Sequence, residues 1–193
     1  MRVAIFIDYE NIHRAAQRAF GVRQDAHISP FKVGALLAAA NERDASGELA
    51  VVEVHRGLPS QHRELELNRA ARLIEKQWRA ESSLVEVRLR PLRYRKDHDG
   101  IVRGQEKGID VQLAASAIRW ALKDECDVAV IFSHDSDMSP VVEMLAEVEG
   151  SHRIETASWL SGRHRQRIPD HSGVWNHYLT EDHFSAVAMS PVA

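Results

Sequence analysis

Disulfide stapling is excluded at once, because Cys126 is the sole cysteine among 193 residues. That usage favours a reducing compartment, and a cytoplasmic location is expected. No apolar stretch approaches the roughly 20 residues of a membrane span, so none is expected. The N-terminus runs straight into an apolar strand, without the basic start, apolar middle and cleavage site of a secretory leader. There is no excess of charge of one sign either. With 25 Lys and Arg against 28 Asp and Glu, the formal net charge is -3, so nucleic-acid binding would have to rest on local basic patches. The 11 histidines are scattered and show no pair at zinc-binding spacing. Repeats, heptads and low-complexity linkers are also missing.

What is present suits one α/β domain, 1–193, with a core over about 1–160 and a tail, 161–193, packing on it. At 44% hydrophobic residues the chain can bury a substantial core. Val3 to Ile7 reads as a buried strand, followed by a helix through Ile12, Ala15, Ala16, Ala19 and Phe20 that Gly21 closes. Pro30 introduces a second helix, "FKVGALLAAANER", and "LAVVEVHRG" reads as the second strand. A helix is expected between His62 and Ala80, carrying Leu65, Ala70, Leu73, Ile74 and Trp78, and "SLVEVRLRPL" supplies a third strand. After a basic loop, Ile109, Leu113, Ala117 and Ala121 mark one face of a further helix. "DVAVIF" is the fourth strand, Ser139 and Pro140 look like the start of a helix that Gly150 closes, and "HRIETASW" is the fifth strand. "WNHYLTEDHF" reads as a final amphipathic helix. Such alternation predicts a mainly parallel sheet of about five strands in a three-layer α/β/α sandwich.

Two of these strands end in acids. "RVAIFIDYEN" delivers Asp8, with Glu10 and Asn11 beyond it, and "DVAVIFSHDSD" delivers Asp135 and Asp137. Ligands of open parallel sheets gather beyond the carboxyl ends of the strands, so the acids are expected at one edge. Asp110, in "EKGIDV", starts a helix and joins them. Each acid alone has a plain explanation as a cap or turn residue. Together they repel one another unless a cation intervenes, and oxygen donors without cysteine suit Mg²⁺ or Mn²⁺.

"FIDYEN", "EKGIDVQLAASAI" and "VIFSHDSDMSPVVEML", in this order, resemble the NYN family of PIN-like, metal-dependent nuclease domains. "HRGLPS" and "LRPLRY" resemble its bacterial branch. The resemblance implies a PIN-like fold, hydrolysis of RNA phosphodiesters, and a site holding Mg²⁺ or Mn²⁺. It places Asp8, Asp110, Asp135 and Asp137 as metal ligands and catalytic residues, with Asn11 beside them. The chain departs from the family pattern at Ser116, where a further Asp is usual, at His134 for a Gly, and at Met138 for an aromatic. Ser133 and Ser136 are candidate donors behind the acids, and His134 a candidate proton-transfer group.

RNA held over an acidic pocket needs basic flanks. From Arg88 to Lys107 seven basic residues face three acids, a net +4 stretch containing Tyr94. Lys107, Arg93, Arg95, Lys96 and Arg103 are the expected nucleic-acid contacts, and Arg163, His164, Arg165 and Arg167 form a second basic group. Single-stranded RNA is the expected partner, and a homodimer is compatible with the chain. Two other readings stay open: an RNA-binding or regulatory module with weak catalysis, prompted by Ser116 and His134, and a phosphatase with an aspartyl nucleophile at Asp8 backed by Glu10.

Overall fold

A run of five apolar residues can be satisfied only where both faces of a strand are covered, and residues 3–7 find that place. In the computed structural model they form β1 (Arg2–Asp8), with Val3 to Ile7 fully buried at the centre of a parallel sheet. The structure describes residues 1–40, 47–149, 154–161, 164–165 and 174–189. The helix closure expected at Gly150, and Arg163 and Arg167 of the second basic group, lie outside them; of His164 and Arg165 only the backbone is described.

In chain order β1 is followed by α1 (Tyr9–Phe20), α2 (Pro30–Ala38), β2 (Glu48–Leu58), α3 (Leu65–Glu81) and β3 (Val85–Pro91). Then come β4 (Arg93–Lys96), β5 (Val102–Gln105), α4 (Ile109–Leu122) and β6 (Val128–Phe132). A 3-10 turn (Ser136–Met138) leads into α5 (Ser139–Glu149), β7 (Ile154–Ser161), β8 (His164–Arg165), β9 (Trp175–Leu179) and α6 (Glu181–Val187). The central sheet runs β3-β2-β1-β6-β7-β9, all parallel, with β8 folding back antiparallel on β7. The chain thus winds outward from β1 to β3, then returns to lay β6 on the other side of β1. That reversal opens a crevice above β1 and β6.

Alternation along the strands sorts the core into two layers. Val3, Ile5 and Ile7 pack with α1, α2, α3 and α6, whereas Ala4 and Phe6 pack with α4 and α5. Asp8 continues the second set and therefore points to the α4 side. Local signals place the helices. Gly21 takes a left-handed φ of +67° to end α1, and Ser29 accepts the Lys32 N–H at 3.1 Å ahead of Pro30. The buried residues of α4 are Ile109, Leu113, Ala117 and Ala121, the face its spacing predicts. Among the described residues, no helix is long and apolar enough to cross a membrane.

The structure differs from expectation in four places. The parallel sheet has six strands rather than about five, because Trp175–Leu179 is a strand and the closing helix begins only at Glu181. The basic loop after β3 is an antiparallel ribbon of β4 and β5. Its Tyr94 anchors it, accepting the Ser60 N–H at 2.7 Å, donating to Glu64 and lying under Arg63. In α3, Leu65 and Leu73 stand exposed, and Ala71, Ile74 and Trp78 make the buried face. Finally, Asp135 rather than Ser139 caps the helical segment after β6, accepting the Asp137 N–H at 3.0 Å.

Candidate active site at the switch point

Three independent pieces of chain meet at the crevice. The end of β1 supplies Asp8, the turn after β6 supplies Asp135, and the first turn of α4 supplies Asp110. Gly108 makes the last placement possible: its φ of +75° is left-handed, and it lets the backbone turn from the ribbon straight into α4. Arg90 Nε donates to the Lys107 carbonyl at 3.0 Å and ties that turn to β3. Asp8, Asp110 and Asp135 line one pocket of about 380 Å³. Asn11 lines it too, and Glu10, Glu106, Arg14 and Arg18 complete its charged wall. Five carboxylates thus face two guanidiniums.

Asp8 is the least comfortable of the acids. It is 7% exposed, and the Ser133 hydroxyl donates to its Oδ2 at 3.1 Å. Burial pushes its carboxyl up to about 7, and the charges of Glu106 and Asp135 add to the rise. Ser133 is also the acceptor of the Asp135 N–H at 3.0 Å, so one hydroxyl fixes the spacing of two acids from different strands. The expected supporting role of Ser133 therefore has a geometry; Ser136 is exposed in the 3-10 turn.

Asn11 is tied to the fold through its Oδ1, which accepts the His134 N–H at 2.8 Å and pins the turn after β6 to α1. His134 is a bridge rather than a proton carrier: its Nε2 accepts the Trp159 N–H at 2.9 Å. Burial, with Arg18 nearby, lowers its pKa to about 4, so the ring is neutral at physiological pH. Asp137 is exposed and does not line the pocket, because the 3-10 turn carries it outward. Ser116 is absent from the pocket wall as well; it serves the buried Glu53 of β2 instead. Of the expected nucleic-acid contacts, Arg93, Arg95, Lys96 and Arg103 stand on the ribbon and Lys107 follows it, all outside the pocket wall.

Glu106, one of the three acids within the basic stretch, is on the wall of the pocket, where its carboxylate accepts the Gly57 N–H at 2.6 Å. Its position, one residue before the Lys-Gly-Ile-Asp motif, was the available signal. Arg14 and Arg18 carried no signal, being ordinary helix charges until the fold shows what they face.

The donor chemistry here, carboxylate oxygen throughout, fits a hard divalent cation. The spacing is looser than a shared three-carboxylate grip, since no three His, Cys, Asp or Glu among the described residues stand close enough to enclose an ion. Such a site suits an ion held through one or two carboxylates with water filling its other positions, the usual habit of Mg²⁺.

Comparison with known proteins agrees with this architecture. The chain is similar to a crystal structure of a protein of unknown function from Vibrio parahaemolyticus, with a TM-score of 0.58 and 17% identity over 97% of this chain and 96% of the other. At that identity the likeness speaks for the fold alone. No curated protein matches. The model of the NYN domain, a nuclease-like domain with RNA-related function, matches residues 2–157, and the chain belongs to the NYN domain family.

Proposed function

We propose that this protein is a Mg²⁺- or Mn²⁺-dependent endoribonuclease that hydrolyses phosphodiester bonds of single-stranded RNA at the pocket above β1 and β6. One observation carries the reading: a buried carboxyl, Asp8, is set among other acids at the switch point, with the Ser133 hydroxyl and the Asn11 N–H as its donors and no cationic partner among the described residues. A group so placed is destabilising until positive charge arrives.

Of Asp8, Asp110 and Asp135, one or two would hold the ion directly and the remainder through water, with Asp137 outside the pocket and Glu106 on its wall. When bound, a divalent cation offsets charge on the phosphate and makes water a stronger nucleophile. The chain's own residues do the rest. Ser133 keeps Asp8 and Asp135 in register, and Asn11 and His134 hold the turn that carries Asp135. On the ribbon, Arg95 lies directly opposite Arg103, and Arg93 and Gln105 form the next pair on that face. Like charges so opposed are unfavourable in a bare ribbon and are relieved by a polyanion. Arg103 is paired with Asp97 at 2.8 Å, whereas Arg93, Arg95, Lys96 and Lys107 have no acidic partner among the described residues.

The test is incubation of a mixed single-stranded RNA pool with Mn²⁺ or Mg²⁺, with and without chelator. Asp135→Asn keeps the side-chain oxygen that receives the Asp137 N–H and removes the charge. Cleavage is expected to fall at least a hundredfold in that variant and to vanish with chelator. Equal cleavage by Asp135→Asn overturns the assignment. The spread of the carboxylates favours one second reading, an RNA-binding module with little turnover, and tight binding without metal-dependent cleavage would select it.

A further inference from the structure

The pocket is strongly acidic, and its substrate under the reading above is a polyanion, so the phosphates on either side of the cleaved bond need cations close at hand. The ribbon's cations do not reach the pocket wall, whereas Arg14 and Arg18 of α1 are on it. We infer that the exposed face of α1 is the track of the RNA strand leaving the pocket, with Arg14 and Arg18 each holding one backbone phosphate. This inference rests on the nuclease reading of the pocket.

Geometry supplies the track. Residues 10, 14 and 18 are spaced one turn apart and share a face, rising about 6 Å per step along the axis. The helix begins beside Asp8, so the row leads from the acidic centre outward. Arg14 is only loosely paired, and Arg18 is unpaired among the described residues. Glu10 is matched by Arg56, whose Nε lies 3.0 Å away, while Arg14 stands 3.8 Å from the same carboxylate and is 67% exposed. Arg18 is exposed and has no acidic partner among the described residues. Both also stand within electrostatic reach of groups on or behind the pocket wall. Arg14 is felt at Glu106 on the opposite wall, and Arg18 at His134 behind Asp135.

The plainer account gives Arg14 an i,i+4 pair and Arg18 a place near the helix C-terminus, effects of about 0.3–1 kcal/mol. That account explains each residue by itself. It does not explain why the cations of the pocket wall stand in one row that starts at the buried acid.

The two accounts part on salt dependence. Binding of a fluorescein-labelled twelve-nucleotide oligouridylate is measured by anisotropy in chelator, from 50 to 300 mM NaCl, for the wild type, Arg14→Ala/Arg18→Ala and Arg14→Lys/Arg18→Lys. Each phosphate neutralised on a single strand contributes about 0.7 to the slope of log K against log salt. The double alanine variant is expected to flatten that slope by about 1.4, and the double lysine variant to restore it. An unchanged slope overturns the track, as does an equal flattening by the remote control Arg72→Ala. A cleavage arm separates this inference from the nuclease reading. With Mn²⁺, the alanine variant is expected to lose at least tenfold in kcat/KM on the twelve-mer and little on a dinucleotide, which has no flanking phosphate. A wild type that cleaves neither substrate removes the nuclease reading, while the slope in chelator still decides the track.

Discussion

Two buried carboxylates, one strand apart on the same face of the sheet, have opposite fates. Glu53 of β2 is fully buried, and burial alone would raise its pKa. The surrounding His55, Trp120, Ser116 and Arg88 outweigh burial and hold it well below the usual range. Trp120 Nε1 donates to it at 2.9 Å and Arg119 at 3.1 Å. Asp8 of β1 receives only the Ser133 hydroxyl and the Asn11 N–H against burial and the repulsion of its neighbours, and it rises to about 7. The fold has therefore surrounded one acid with donors and cations and given the other too few. A satisfied carboxylate is part of the scaffold, while an unsatisfied one at a switch point belongs to a site. Ser116 now makes sense: an Asp in its place would press a second negative charge against Glu53.

The contrast can be broken most forcefully at Glu53. Replacing it with Ala leaves the fully buried His55 and the Trp120 N–H without their acceptor, and a loss of about 3 kcal/mol is expected in urea unfolding. A loss below 1 kcal/mol would show that Glu53 is not the anchor described. Asp8→Asn should act the other way. A carboxyl whose folded pKa lies above its unfolded value of 3.8 favours folding only while protonated, so its cost to stability grows from about pH 4 and is complete above about pH 7. At pH 8 in chelator, Asp8→Asn is expected to gain about 2 kcal/mol, and with Mn²⁺ supplied it is expected to abolish cleavage. Destabilisation at that pH would refute the strained state of Asp8.

Ser133→Ala removes the hydroxyl shared by Asp8 and Asp135. Its expected cost is about 1 kcal/mol in stability and tenfold or more in cleavage, measured on the same RNA. The smallest effect lies away from the pocket, where His27 bonds the Tyr9 hydroxyl at 2.6 Å. Burial, then the charge of Arg56, lowers its pKa to about 4. The neutral ring favours folding fully above pH 6.5, and that contribution is lost as pH falls toward 4. Melting temperature should decline over this window by a few degrees less in His27→Gln than in the wild type.

Much of the fold was legible because its central strands are unbroken apolar runs that only a covered parallel sheet can bury. Asp8 and Asp135 were legible because they follow two of those strands, and with Asp110 at the start of α4 they reach one pocket. What escaped the sequence has physical causes. β9 hides because Asn176 and His177, polar residues, are buried there by bonds to Thr156, Ser158 and Glu155 on β7. The ribbon hides because its residues are largely exposed and a single tyrosine docks it. Asp137 looked like a partner of Asp135 two positions on, and a 3-10 turn separates them. Arg14 and Arg18 have helical spacing but no motif.

The sixth strand has a practical corollary for anyone trimming this gene. The family match stops at residue 157, midway through β7, and a clone cut at that point would lose Trp159, β9 and α6. Trp159 and Phe184 pack edge-on or tilted against Phe132 and Phe20, so such a fragment would uncover those two phenylalanines and a raw strand edge together. Its insolubility would say nothing about the pocket, and fragments meant for assay should run through residue 189.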